Sequence, residues 1–291
     1  MRVRAPAVAG SFYPSDPGEL RAQVARCLDE AGPAPRGEPF AKALVAPHAG
    51  YVYSGTVAGA AYQRAARLAG RVSRVVLLGP AHRAFLRGLA APRADAFATP
   101  LGVVRIDRAA LDGLIDLPQV SVSDAPHAGE HSLEVQLPFL QLALGARASA
   151  PGLVSEPRPA QRGEAERSSS WRLVPLVAGD ASDEEVEEVI ERLWGGPETL
   201  LVVSSDLSHY HADATARKID AESRRAVEAL EPGGLGRESA CGAVPLRGLL
   251  RAARRLGLVA RTLALSNSGD SGGGRERVVG YGAWSFHPAA A

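Results

Sequence analysis

Short runs of unbroken apolar residues, each ending abruptly in a polar turn, recur along the chain in "AKALVAPHAGYVYSG", "SRVVLLGPAHRAF", "WRLVPLVAGDASDEE" and "ETLLVVSSDLSHY". Runs rich in Val and Leu without alternation predict strands buried on both faces. Between them lie segments with apolar residues at helical spacing: "GTVAGAAYQRAARLAG", "SDEEVEEVIERLWG" and "CGAVPLRGLLRAARRLGL". The N-terminal stretch "PSDPGELRAQVARCLDEAG" adds a further helix, with Asp16 as N-cap, Pro17 in the first turn and Gly32 beyond its end. The pattern predicts an α/β fold: a largely parallel, mixed central sheet with helices on both faces. Strands near residues 43–47, 74–79, 172–178 and 199–204 are expected side by side with their carboxyl ends together.

Two stretches depart from this grammar. "ATPLGVVRID" reads as a strand pair around a Pro and Gly turn, expected to add to the sheet antiparallel. The segment at about 145–170, "GARASAPGLVSEPRPAQRGEAERSSS", is rich in small and charged residues and poor in large apolar ones, so it reads as a mobile insertion loop. No internal repeat occurs, and the expectation is one domain over residues 1–291.

Composition narrows the function. The 33 basic and 32 acidic residues leave a formal charge of +1, which offers no electrostatic footprint for nucleic acid or an anionic membrane. Neither a signal-type apolar segment nor a membrane-length apolar run is present, so the expected compartment is the cytoplasm. The two cysteines are far apart and make no disulfide framework. Cys27 shares helical spacing with Leu20, Val24 and Leu28 and is expected in the core.

Strand ends in such sheets carry ligands, and that rule puts His48, His82, Asp180, Asp206 and His209 on one rim. Each has a plain structural alternative: a lone histidine at a strand end is commonly structural, and Asp206 could cap the helix that follows. Asp206 and His209 are three residues apart, so on a helical turn the carboxylate would orient the imidazole. His131, in "GEHSLEVQLPFL", is placed at a helix start, where the dipole disfavours the imidazolium; simple capping by Glu130 or Ser132 is the alternative. Cys241 precedes another helix, a position that lowers a thiol's pKa. Two imidazoles and a thiolate leave room for substrate, which suits Fe or Cu better than a closed zinc site; a buried structural cysteine remains the other reading.

The pieces "RAPAVAGSFYP", "APHAGYVYSG", "LLGPAHR", "TPLGVVRID", "EHSLEVQLPFLQ", "VVSSDLSHY", "CGAVPL" and "NSGD" followed by "VVGYGAWSF" run from end to end, and in them the sequence resembles the Memo family. Bacterial members of that family are called AmmeMemoRadiSam system protein B. The resemblance implies a fold like that of class III extradiol dioxygenases, which hold Fe(II) with two histidines and a carboxylate. In Memo proteins a cysteine is expected in the carboxylate's place, implying His48, His82 and Cys241 as metal ligands, with Asp206, His209 and His131 as the catalytic groups around them. It further implies Fe(II), or copper, as cofactor and a redox role supporting a radical SAM system. Partners on that reading are an AmmeMemoRadiSam A-type protein, a radical SAM protein and a small molecule or peptide in the pocket. A non-catalytic peptide- or partner-binding module on the same fold is the competing expectation. Two departures are visible: "CGAVPL" lacks the basic or polar residue many relatives carry between Gly and Pro, and the 145–170 segment exceeds the usual core.

Overall fold

The computed structural model describes residues 1–145 and 171–289. The expected insertion loop at 145–170 therefore lies, but for its first residue, outside the described residues. In chain order the elements are β1 (Val3–Arg4), α1 (Pro17–Ala31), β2 (Ala43–Ala46), α2 (Tyr51–Ala66), β3 (Arg74–Pro80), β4 (Leu89–Ala91), β5 (Ala96–Thr99), β6 (Gly102–Arg105), α3 (Arg108–Asp112), β7 (Val120–Val122) and α4 (Ala125–Ala128). There follow α5 (Leu137–Gly145), β8 (Arg172–Ala178), α6 (Asp183–Arg192), β9 (Thr199–Ser204), β10 (His209–His211), α7 (Asp213–Glu228), α8 (Ala243–Arg255), β11 (Leu258–Asn267) and β12 (Val278–Pro288).

The four expected strands form the centre of the large sheet, in the order β2, β9, β3, β8, all parallel. Every residue of β2 and β9 is buried, as their unalternated Ala, Leu and Val content demands. Antiparallel pairing takes over on both sides: β12 joins β2 and carries β10 and β11, while β4 joins β8 and is itself parallel to β7. The sheet is thus mixed, with its parallel part at the centre.

Helices flank the sheet: α1 packs with α2 and α5, and α6 with α8, while α2 lies against β2, β11 and β12, α7 against β11 and β12, and α8 against β3, β9 and β11. Helix α1 begins where expected: Asp16 accepts the Glu19 amide and Pro17 occupies the first turn. Cys27 is buried in this helix, as its spacing predicts, and burial pushes its thiol up to about 11. Among the described residues no helix is long and apolar enough to cross a membrane.

One pairing differs from expectation. The hairpin of β5 and β6 does form, but it joins β1 in a separate three-stranded sheet and touches the large one through a bridge between Ile106 and Leu173. The reason is the N-terminal segment, which supplies β1 as the hairpin's partner and is anchored independently. Arg4 donates from Nη1 to Glu134 and from Nε to the His127 carbonyl, and its guanidinium lies over the Phe97 ring.

His127 itself is buried, and its Nε2–H donates to the Ala90 carbonyl at 2.9 Å. Burial lowers its pKa to about 4 from an ordinary 6.5. Above about pH 6.5 both folded and unfolded states hold it neutral; as the pH falls towards 4 only the unfolded state takes the proton, so stability is lost. Relative to His127→Gln, the wild type should lose up to about 3 kcal/mol more unfolding free energy between about pH 7 and about pH 4. Urea unfolding of both proteins across that range checks it; identical pH slopes would remove this assignment.

Candidate metal centre

His48 and Asp206 each stand two residues past the carboxyl end of their strands, β2 and β9, and His82 stands two past β3. Because these strands are neighbours and parallel, the three residues rise from the same edge of the sheet. Two glycines let other segments close over this edge. A Cβ at Gly79 would lie 2.9 Å from both Leu133 Cδ2 and Ser132 Oγ, so glycine admits the segment carrying His131. A Cβ at Gly242 would lie 2.7 Å from the Ser204 carbonyl and from Ser205 Cβ, so glycine there seats the start of α8, and Cys241 with it, on the end of β9.

The result is a cluster in which ligand atoms of His48, His82 and Cys241 all lie within 4.8 Å of one another. Cys241 Sγ is 3.3 Å from His48 Nε2 and accepts the Asp206 amide at 3.3 Å. His48 Nδ1 lies 2.8 Å from Ser204 Oγ, and the His48 main-chain amide donates to Asp206 Oδ1 at 2.7 Å. The His82 ring is 5.2 Å from the His48 ring, and its Nδ1 donates to Glu130 Oε1 at 2.9 Å.

Burial sets the protonation states. It drives the His48 imidazole well below its ordinary range, with the neighbouring His82 and His131 acting in the same direction. Burial also lowers His131 to about 4, and it lowers His209. It raises Asp206 to about 7 against the opposing hydrogen bond from the His48 amide. Cys241 departs from the sequence expectation. Its place ahead of α8 should lower the thiol pKa, yet burial, reinforced by the charge of Asp206, pushes it up. Desolvation of a thiolate costs more than one helix end returns.

The remaining rim residues fall as follows. His131 stacks on His82 with centroids 4.8 Å apart and meets the His48 ring edge at 5.4 Å. It precedes a 3-10 turn at Glu134–Gln136 that leads into α5, with Pro138 in that helix's first turn. His209 donates from Nδ1 to the Leu207 carbonyl at 2.7 Å, which leaves Nε2 unprotonated. Asp206 accepts backbone amides and does not orient His209. The chain between them is not helical: Leu207 and Ser208 carry no regular structure, and His209 opens β10. Nor does Asp206 cap α7, whose N-cap is Ala212. Asp180 is exposed at the end of β8 and pairs with Arg237 at 2.7 Å, apart from the cluster.

The carboxylate that does orient an imidazole is Glu130, which sequence reasoning took only for a cap. Its Oε1 accepts His82 Nδ1 and the amides of His131 and Ser132, and its Oε2 accepts the His82 amide. Burial alone would raise this carboxyl, but those hydrogen bonds hold it down at about 2. A surface cleft of about 610 Å³ lies beside the centre, lined by Phe12, Tyr13, Gln23, Arg26 and Val52. Phe12 links the two, its ring 4.7 Å from that of His131.

Comparison with known proteins agrees over the whole length. The family described as Memo-like protein matches residues 4–285. A MEMO1 family protein of Aquifex aeolicus is 35% identical over 293 residues, covering 97% of this chain and 98% of the relative. A MEMO1 family protein of Methanopyrus kandleri is 33% identical with 97% and 98% covered, and one of Ignicoccus hospitalis 32% identical with 98% and 99% covered.

Proposed function

We propose that this chain, which belongs to the Memo family, holds one Fe(II) or copper ion through His48, His82 and Cys241 and works as a redox protein. The observation that carries the reading is the cluster itself: two imidazoles and one thiol with ligand atoms within 4.8 Å of one another. The donors fit a soft or borderline transition metal. His48 and His82 each have Nδ1 engaged by a neighbour, and a sulfur completes the set. Three ligands leave positions for a substrate, unlike a closed structural site. When bound, such an ion supplies Lewis acidity and one-electron exchange.

The chain's own residues would do the rest. Glu130 holds the His82 ring and its proton. Asp206, with a carboxyl near 7, can hold or release a proton near neutral pH. His209 Nε2 and the His131 ring are neutral bases beside the cluster. A small molecule or peptide is the substrate class we assign to the pocket, and service to a radical SAM enzyme alongside an AmmeMemoRadiSam A-type protein is the role we assign to the activity. The competing reading, a peptide-binding module without catalysis, has the cleft beside Phe12 in its favour.

Anaerobic titration with Fe(II), and with Cu(I) under reducing conditions, separates the two. A metal centre takes up one equivalent with loss of the thiol proton, and a binding module takes up none. Asp206→Asn should keep that equivalent while slowing reaction of the loaded protein with oxidants by about tenfold or more. Unchanged oxidant reactivity, or a lower melting temperature as the only effect, would return Asp206 to a structural role.

A further inference from the structure

We infer that Ser204 and Gln136 are positioning residues that fix His48 as its Nδ1–H tautomer and so aim the Nε2 lone pair at Cys241 and His82; the inference rests on the metal reading above. A count of protons at Ser204 decides the tautomer. A serine hydroxyl has one hydrogen to give and two lone pairs to fill. Ser204 Oγ donates to the Ser132 carbonyl at 2.6 Å and receives Gln136 Nε2 at 2.7 Å. Its remaining contact is His48 Nδ1 at 2.8 Å, and that contact is a hydrogen bond only if the nitrogen carries the proton.

The Gln136 amide has no freedom to reverse this. Its Oε1 accepts the Tyr62 hydroxyl at 2.7 Å, and its Nε2 also donates to the Pro47 carbonyl at 2.9 Å. Turning the amide over would set oxygen against oxygen at Pro47 and leave Ser204 without its donor. Tyr62, Gln136, Ser132, Ser204 and His48 are all buried, so water cannot relieve a misplaced proton. With Nδ1 protonated and the ring neutral, Nε2 keeps its lone pair, and that atom lies 3.3 Å from Cys241 Sγ.

One stretch therefore sets both imidazoles. Glu130 accepts the hydrogen bond from His82 Nδ1–H, while the Ser132 carbonyl and Gln136 fix Ser204, which accepts the one from His48 Nδ1–H. The two ligands are presented by the same nitrogen before any ion arrives.

The test is two-bond proton–nitrogen correlation on metal-free protein labelled with nitrogen-15 histidine, with the His48 signals assigned by their loss in His48→Gln. The wild type should show a protonated Nδ1 and an unprotonated Nε2 at His48. Ser204→Ala, and separately Gln136→Leu, should shift the population towards the Nε2–H form. Co(II) affinity of Ser204→Ala should fall about tenfold to a hundredfold, the range seen when an outer partner of a ligating histidine is removed. An Nε2–H tautomer in the wild type, or an unchanged tautomer in both variants, overturns the proposal. A wild type that binds no Co(II) overturns the metal reading instead, whatever its tautomer.

Discussion

Cys241→Ser should weaken Fe(II) and Cu(I) binding by about a hundredfold or more while leaving the fold in place. Sites built from thiolate and imidazole bind with about 10–16 kcal/mol shared over four ligands, so roughly 3 kcal/mol, or about a hundredfold, goes with each. A serine hydroxyl stays protonated near neutral pH and cannot replace the sulfur. The fold should tolerate the change, because a serine hydroxyl can keep the bonds that the Cys241 thiol makes to the Asp206 backbone and to His48 Nε2. Since burial holds the thiol neutral before metal arrives, uptake must expel a proton, and affinity should fall as the pH is lowered. Cys27→Ser supplies the control. It lies in the core against α2 and should alter stability without altering metal content. Equal stoichiometry and affinity in wild type and Cys241→Ser, measured without oxygen, would sink the three-ligand set.

The sheet's centre was legible because fully buried parallel strands cannot alternate, and β2, β3, β8 and β9 therefore announce themselves as unbroken apolar runs. Once four such strands are parallel, the residues just past their ends must share an edge. That is why His48 and His82 could be paired without seeing the fold. Cys241 was harder, since its strand-end neighbour is reached through Gly242 lying against Ser204 and Ser205, a contact between residues far apart in the chain. Glu130 was misread for a physical reason: capping amides and orienting an imidazole use the same oxygen, and nothing local brings residue 82 to residue 130. Spacing misled at Asp206 and His209, because three residues apart means one side only on a helix, and here an irregular segment leads from Asp206 into the strand that His209 opens. Gln136 and Ser204 were invisible for the opposite reason. Gln136 lies in an apolar helical run and Ser204 opens the polar turn at the end of β9, and in either place one polar residue reads as ordinary until its partners are known.

Glu134→Ala should destabilise the protein by about 3–5 kcal/mol, the cost of removing one partner from a buried ion pair. Glu134 is fully buried, and every side of its carboxylate is occupied. Oε2 accepts Arg4 Nη1 and the Ala7 amide, both at 2.7 Å, while Oε1 accepts the Val8 amide at 2.9 Å and the Tyr13 hydroxyl at 2.6 Å. Alanine would leave Arg4 Nη1, the Ala7 and Val8 amides and the Tyr13 phenol without this acceptor, though Arg4 would keep the His127 and Glu130 carbonyls, and unmade buried bonds cost more than made ones return. Glu134→Gln should be nearly as damaging, because its amide nitrogen would turn donor towards donor on one side. The consequence extends to the metal centre. The segment these bonds secure carries Phe12, whose carbonyl accepts the Tyr51 amide at 2.8 Å and whose ring covers His131. In either variant the urea midpoint should drop, and hydrogen exchange should rise first at the amides of Ala7, Val8 and Tyr51. An unfolding free energy within about 0.5 kcal/mol of wild type, the range of an ordinary surface substitution, would show that the N-terminal segment is held by the β1 pairing and not by this carboxylate.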